Sequence, residues 1–126
     1  MLRHLAAFVA VFLCAQLYAA EAAQDDAASS VDFQWGVKIP LRDGVKLNAT
    51  VYKPQGQKDA LPCVFTLTPY IAQSYHERGM YFAAHGYVFL TIDVRGRGNS
   101  EGEFTPLLQE AKDGHDVVEW LAHQSY

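Results

Sequence analysis

Two apolar runs with period-two spacing flank the dipeptide Asp43-Gly44, and this pattern restricts the fold more than any other part of the sequence. Successive side chains of a strand point to opposite faces, and an Asp-Gly pair favours a tight turn. The pattern therefore predicts an antiparallel hairpin over about Phe33–Leu41 and Val45–Tyr52. One face of this hairpin is expected to be apolar, and the other to carry the polar residues Lys46, Asn48 and Thr50.

A strand, a helix and a second strand are predicted after the hairpin. Cys63–Thr68 and Tyr87–Asp93 are nearly continuous apolar or β-branched runs, which is typical of strands buried on both faces of a parallel sheet. Between them, Ser74 and Glu77 have the spacing of a capping box at a helix start. Gly86 can take the left-handed position that ends the helix. The segment therefore predicts a right-handed βαβ unit.

A second helix is predicted over about Leu107 to Gln124, with Thr105 as its cap and Pro106 in its first turn. Gly114 within it costs on the order of 1 kcal/mol relative to Ala, which predicts a close approach to a neighbouring element. Helical periodicity predicts an apolar face made of Leu107, Leu108, Ala111, Val118, Leu121 and Ala122.

These elements predict the α/β class. An antiparallel hairpin that leads into a parallel βαβ sheet is the N-terminal part of an α/β-hydrolase fold. The sheet is expected to be incomplete, because the second parallel strand, Tyr87–Asp93, would keep a long apolar edge.

The first 22 residues are interpreted as a secretory signal peptide. A short basic start precedes the apolar run Leu5–Tyr18, and Ala20-Glu21-Ala22 fits a small-x-small site cleaved after Ala22. A transmembrane anchor is less favoured, because the run is shorter than the roughly 20 residues that span a bilayer. Residues 23–31 are interpreted as a flexible lead-in and residues 32–126 as the folded portion. We therefore expect a secreted or periplasmic protein with no membrane contact after cleavage.

Charge and motif spacing exclude several classes of protein. Ten Lys and Arg against 14 Asp and Glu make the chain mildly acidic, which gives no reason to expect nucleic-acid binding. Gly96 and Gly98 follow a predicted strand, but Gly102 comes one place too late for a G-x-G-x-x-G nucleotide motif. His115 and Glu119 lie four residues apart without a third metal ligand of suitable spacing. No metal or other cofactor is expected.

No serine of the chain has the sequence setting of an α/β-hydrolase nucleophile. Such a nucleophile needs a G-x-S-x-G turn, which neither Ser74 nor Ser100 has. Cys63, the single cysteine after residue 22, is interpreted as a small buried hydrophobe.

The loop after the second parallel strand is predicted to have a structural role. Its glycines, Gly96 and Gly98, favour a tight turn. Its charged residues are expected to form one hydrogen-bonded ion network, made of Asp93, Arg95, Arg97 and Glu101.

Six motifs spread over about Val37 to Gln124 occur in a distinctive order. They are Ile39–Leu47, Thr68-Pro69-Tyr70, Gly86-Tyr87-Val88, Asp93–Gly102, Glu110–Gly114 and Glu119-Trp120-Leu121. Their order and spacing resemble the start of the X-prolyl dipeptidyl-peptidase and cocaine-esterase family (CocE/NonD type) of serine hydrolases. That family also includes cephalosporin acylases and α-amino-acid ester hydrolases. The D-G hairpin, the T-P-Y loop and the E-A-x-D-G helix together carry the resemblance, since the arginine-glycine loop is common to many α/β-hydrolases.

The resemblance implies a role for Tyr70. In this family a tyrosine after the third strand offers its hydroxyl to the oxyanion hole, and the alternative is a core tyrosine at a strand end. A donor placed at the developing negative charge of acyl transfer is worth several kcal/mol. The residues of the structural loop near this site would be Asp93, Arg95, Gly96, Arg97, Gly98 and Ser100.

The resemblance also implies what the chain lacks. The family's serine lies on a G-x-S-Y-x-G elbow, and its Asp and His come later still, so Tyr126 precedes the nucleophile, the acid and the base. We therefore expect an N-terminal fragment, inactive alone, of an exported serine hydrolase of ester or amide bonds. Its substrate would be a small molecule or peptide, with X-prolyl dipeptidyl-peptidase, acyl esterase and acylase chemistry and the oligomeric state left open. The alternative is a truncated non-catalytic α/β protein that only binds a ligand or partner.

Overall fold

The computed structural model describes residues 30–126, which contain a four-stranded mixed sheet with a helix on each face. The predicted signal peptide, and the predicted lead-in up to residue 29, lie outside the described residues. The elements are β1 (Val31–Pro40), β2 (Lys46–Pro54), β3 (Cys63–Thr68), a 3-10 turn (Ala72–Tyr75), α1 (His76–Ala84), β4 (Val88–Asp93) and α2 (Glu110–Ala122). No helix in residues 30–126 is long and apolar enough to cross a membrane.

The strands lie in the order β1-β2-β4-β3. The β1–β2 and β2–β4 pairs are antiparallel, whereas β3 and β4 are parallel. Alternate residues of β4 pack on the two faces: Val88, Leu90 and Ile92 join the cluster of Val117 from α2, and Phe89 joins the cluster of Ala83 from α1. The predicted α/β class, with a hairpin leading into a parallel unit, is confirmed.

The hairpin contains a β-bulge that changes which side chains share a face. The β1–β2 register shifts between Gln34 and Val37, where Gly36 has a φ of 74°. The extra residue places Phe33 beside Tyr52, with ring centroids 6.1 Å apart, and Val37 on the opposite face of the sheet. The single apolar face predicted for β1 is therefore wrong.

Two of the three predicted polar positions of β2, Asn48 and Thr50, are buried, whereas Lys46 is exposed. β2 lies between β1 and β4, and Asn48 and Thr50 are each 5% exposed. The Asn48 backbone N–H donates to Ser100 Oγ at 2.7 Å, so the loop after β4 covers this face. Leu47, Ala49 and Val51 all belong to the apolar cluster on the α2 side, so β2 separates its apolar and polar residues onto two faces as predicted.

The two parallel strands differ in burial because one is central and the other lies at the edge. All six residues of β4 are buried, as predicted. In β3, Thr68 alone is buried and Cys63 is exposed, so the predicted burial of this strand and of its cysteine is wrong. The edge strands of the described sheet are β1 and β3, so the free edge predicted for Tyr87–Asp93 is wrong. Desolvation of the sulfur raises the pKa of the Cys63 thiol to about 11, so it is protonated at neutral pH and is not an activated nucleophile.

The helix α1 begins without the predicted capping box. Ser74 lies in the 3-10 turn, where its hydroxyl donates to the Ile71 carbonyl at 2.7 Å. The N-cap residue is Tyr75, which makes no side-chain capping hydrogen bond. The box fails because Ser74 is engaged in closing the preceding turn. Gly86, with a φ of 82°, does follow the helix in the left-handed conformation predicted for it.

The helix α2 begins three residues later than predicted. Leu107 has a φ of 64°, which is not helical, and the Glu110 carboxylate accepts the backbone N–H groups of Leu107 and Gln109 at 2.9 and 3.2 Å. This acidic residue holds the start of the helix, so the predicted cap at Thr105 and Pro106 is wrong.

The buried face of α2 is also rotated from the predicted one. Asp113 and Val117 are buried, whereas Ala111 and Val118 are exposed. The reason is that Asp113 points at the core and is paired there with Arg95, which apolar periodicity cannot reveal. A Cβ on Gly114 would have no neighbouring atom within 4 Å, so the predicted close approach is wrong.

The two helical glycines are expected to respond oppositely to alanine. A Cβ on Gly79 would lie 2.6–2.7 Å from ring atoms of the buried Tyr52, so Gly79→Ala should lower the free energy of unfolding by about 1–3 kcal/mol. Gly114→Ala, the matched control, should raise it by about 0.5–1 kcal/mol through helix propensity. Urea unfolding of both variants measures this, and a shift of both in the same direction would contradict the close packing of Gly79 on Tyr52.

Candidate active site at the carboxyl edge of the sheet

The carboxyl ends of β3 and β4 lie side by side and begin the two loops that carry the motif residues. Thr68 and Asp93 are register partners, and the Val94 backbone N–H donates to the Thr68 carbonyl at 3.0 Å. Open α/β sheets bind ligands outside the carboxyl ends of their strands. This edge is therefore the candidate site.

The loop after β3 fixes the backbone on both sides of Tyr70 and leaves the ring exposed. The Tyr70 backbone N–H donates to Thr68 Oγ1 at 3.1 Å. The next carbonyl, that of Ile71, accepts both the backbone N–H and the hydroxyl of Ser74, at 3.0 and 2.7 Å. Within residues 30–126, Tyr70 is 74% exposed.

The side chain of Tyr70 is chemically available. Within residues 30–126 its phenolic hydroxyl makes no hydrogen bond, although a phenol can both donate and accept. The phenol of Tyr70 is thus a free hydrogen-bond donor at the candidate edge, within the residues that the structure describes.

The charged residues of the loop after β4 do not form the predicted network with one another. Arg95 donates two hydrogen bonds to Asp113, at 2.8 and 2.9 Å, and one to Asp43 at 2.7 Å. The Arg97 guanidinium lies over the Phe104 ring, 4.3 Å from its centroid. Arg95 thus joins the loop to the hairpin turn and to α2. Both partners are distant from Arg95 in sequence, so the local spacing of charges could not predict these pairs.

The acidic members of the predicted network also bond elsewhere. The Glu101 carboxylate accepts the Lys46 backbone N–H at 3.1 Å. Asp93 is 1% exposed, and one of its carboxylate oxygens accepts the Asn99 backbone N–H at 3.3 Å. Each acid therefore holds main chain in place, and the predicted network of Asp93, Arg95, Arg97 and Glu101 is wrong in its partners.

The glycines of this loop form the tight turn that was predicted. Gly96 and Gly98 have φ values of 67° and 53°, in the left-handed region. A side chain on Gly98 would collide with the Asp93 carboxylate, and one on Gly96 with the backbone at Phe104. Ser100 locks the same turn, since its hydroxyl accepts the Asn48 backbone N–H and donates to the Asp93 carbonyl, both at 2.7 Å. Its engaged hydroxyl fits the sequence argument that it is not a nucleophile.

Two ion pairs tie the hairpin turn to the rest of this edge. The Arg95 guanidinium, together with the Val45 backbone N–H, lowers the pKa of the Asp43 carboxyl. The hydrogen bonds from Arg42 hold the pKa of Asp116 at about 2. Both carboxylates are therefore ionised at neutral pH, which keeps the turn attached to the loop after β4 and to α2.

The described residues provide no metal centre and no catalytic triad. Across residues 30–126 there is no group of three or more His, Cys, Asp and Glu side chains that could hold a metal ion. His115 contacts Arg42 at 3.2 Å, and His76 contacts the Tyr52 hydroxyl at 3.1 Å. Neither contact joins a histidine to a serine.

A mixed sheet with this strand order, a helix on each face and a tyrosine loop at its carboxyl edge defines the N-terminal part of an α/β-hydrolase. Residues 43–126 match the model of the X-Pro dipeptidyl-peptidase (S15) family, and the chain belongs to that family. The resemblance stated from the sequence motifs is confirmed.

Named relatives agree with this assignment. The chain is 31% identical over 96 residues to cocaine esterase of Rhodococcus sp. (strain MB1 Bresler), covering 71% of this chain and 17% of that protein. An alpha-amino acid ester hydrolase structure superimposes with a TM-score of 0.62 and 33% identity, covering 73% of this chain and 19% of that one. An aminopeptidase from a Thaumarchaeota archaeon gives a TM-score of 0.59 and 28% identity with the same coverage. The chain thus spans about a fifth of the length of these relatives.

Some residues of the T-P-Y loop could be recognised from the sequence, and others only from the structure. Tyr70 was identified through the family motif. Thr68 and Ser74, which fix the loop around it, were missed as contributors to the site. A threonine hydroxyl often accepts the backbone N–H of the residue two places later, so Thr68 could have been predicted to contact Tyr70. This contact is common in turns, however, and does not by itself indicate a functional site.

Proposed function

We propose that this chain supplies the oxyanion side of the active site of an exported serine hydrolase that cleaves ester or amide bonds. The observation that carries the proposal is the state of Tyr70: its backbone N–H is engaged by Thr68, while its hydroxyl is exposed and unpaired within residues 30–126. Family membership supplies the reaction class. The relatives are named as an esterase, an ester hydrolase and an aminopeptidase, which supports both ester and amide substrates.

The proposed mechanism assigns the chain one part of acyl transfer. A serine from outside residues 1–126 would attack the substrate carbonyl, and a histidine would take the serine's proton. Negative charge then develops on the carbonyl oxygen, where the Tyr70 hydroxyl and a backbone N–H would donate hydrogen bonds. The loop Asp93–Gly102 would support this edge without touching the reacting atoms. No cofactor takes part in this chemistry.

Export is proposed from the sequence of residues 1–22 alone. The apolar run Leu5–Tyr18 and the small residues after it favour cleavage after Ala22. The N-terminal sequence of the protein recovered outside the cytoplasm is then expected to begin at Ala23, and an N-terminus at Met1 would contradict this.

The 126-residue chain by itself is expected to have no hydrolase activity. Neither Ser74 nor Ser100 can act as the nucleophile, because both hydroxyls are engaged in turns and neither lies in a G-x-S-x-G elbow. Incubation with a chromogenic ester should show no burst, and a serine-directed fluorophosphonate should leave the chain unlabelled. A burst that the fluorophosphonate blocks would overturn this expectation, and Ser74→Ala and Ser100→Ala would then locate the labelled serine.

A further inference from the structure

We infer that Thr68 is a positioning residue for Tyr70: its hydroxyl engages the Tyr70 backbone N–H, so that the T-P-Y loop presents the phenol as the hydrogen-bond donor. This inference rests on the proposed function. It adds a residue that acts through Tyr70 and touches neither the substrate nor the reacting atoms.

Thr68 is a rigid anchor because it belongs to the sheet. It is 2% exposed and ends β3, where its carbonyl accepts the Val94 backbone N–H at 3.0 Å. Its register partner, Asp93, is the last residue of the fully buried strand β4. An acceptor fixed in this way ties its donor, the Tyr70 backbone N–H, to the end of the sheet.

The loop is fixed at its other end as well. The Ile71 carbonyl accepts two hydrogen bonds from Ser74, and Pro69 has a φ restricted by its ring. Few backbone torsions around Tyr70 are then free to move. The loop therefore sets the direction in which the tyrosine side chain leaves the backbone.

The hydrogen bond between the Tyr70 backbone N–H and Thr68 Oγ1 also determines which group of this loop is free to donate to the oxyanion. In lipases of the α/β-hydrolase fold, the loop after the third strand contributes a backbone N–H. In this chain the Tyr70 N–H is already donated to Thr68 Oγ1, which leaves the phenolic hydroxyl as the available donor of the residue. A misplacement of about 1 Å at a reacting centre can cost roughly 100-fold in rate, so the anchor matters for catalysis.

The test uses the complete enzyme that contains this chain. Thr68→Val keeps the shape of the side chain but removes the acceptor, and kcat is expected to fall roughly 10- to 100-fold with KM changed less than about twofold. Thr68→Ser, the matched control, keeps the hydroxyl and should retain kcat within about threefold of the parent enzyme.

A double-variant cycle with Tyr70→Phe separates positioning from a general structural role. If Thr68 acts through the phenol, Thr68→Val should lower kcat in the parent enzyme and cause no further fall in the Tyr70→Phe background. An equal fall in both backgrounds, or no fall in the parent, would overturn the inference. If Thr68→Val does not fold, Thr68→Ala against Thr68→Ser gives the same comparison.

The cycle also distinguishes failure of this inference from failure of the proposed function. If Tyr70→Phe lowers kcat but Thr68→Val does not, Tyr70 keeps its role and the inference about Thr68 is wrong. If Tyr70→Phe leaves kcat unchanged, the proposed role of Tyr70 is wrong and the inference fails with it.

Discussion

If this chain supplies the oxyanion side of a serine hydrolase as proposed, replacing Tyr70 by phenylalanine in that hydrolase should lower kcat by roughly 100- to 1,000-fold, with KM changed less than about twofold. The substitution removes one hydroxyl and keeps the ring. Because that hydroxyl makes no hydrogen bond within residues 30–126, the fold should be unaffected. The loss therefore reports stabilisation of the oxyanion, which forms only in the transition state. Steady-state kinetics on a neutral ester measures both constants.

Tyr81→Phe is the matched control for this prediction. Tyr81 is also an exposed tyrosine, 60% accessible, and lies on α1, where its ring stacks on His85 at 4.2 Å. Its hydroxyl is not part of the carboxyl edge, so kcat should stay within about twofold of the parent enzyme. A Tyr70→Phe enzyme with kcat also within about threefold would refute the oxyanion role.

Asp113→Asn should cost about 3 kcal/mol of unfolding free energy. The side chains of Asp113 and Arg95 are 6% and 10% exposed, and two hydrogen bonds join them. Removing the charge leaves a largely buried guanidinium whose remaining partner, Asp43, is 48% exposed. Urea unfolding monitored by tryptophan fluorescence measures the loss.

Asp43→Asn provides the comparison, since it removes the other carboxylate from the same guanidinium. Asp43 lies in the exposed hairpin turn, where solvent screens the charge, so this variant should be clearly less destabilised than Asp113→Asn. Equal losses for the two variants would show that burial does not distinguish the two ion pairs. That result would contradict the placement of Asp113 on the core side of α2.

Local signals predicted the parts of the fold that depend on local chemistry. The Asp43-Gly44 turn, the fully buried β4 and the left-handed Gly86 each follow from residues next to one another in sequence. The β-bulge at Gly36 could not be predicted from the sequence, because the apolar residues still alternate regularly along β1. The inserted residue nevertheless moves the side chains after it to the opposite face of the sheet. Only the pairing register with β2 reveals this bulge.

The remaining errors arise from contacts between residues distant in sequence. Asp113 is not part of the apolar face predicted for its helix, yet it is buried, because Arg95 neutralises it from 18 residues earlier. Cys63 was assigned to a buried strand, yet it is exposed, because β4 occupies the central position and leaves β3 at the edge. In the candidate site, Tyr70 was recognisable from its motif, whereas the anchoring role of Thr68 needed the hydrogen bond itself to be seen.

The strand order has a consequence for how this sheet can be assembled during synthesis. Strand β4 is the last of the four to leave the ribosome, yet it lies between β2 and β3 and pairs with both. A nascent chain that has exposed only β1 to β3 therefore holds a hairpin and a separate strand with no ladder between them. The four-stranded sheet cannot close before residues 88–93 are present, and until then the helix α1 has no Phe89 to pack against.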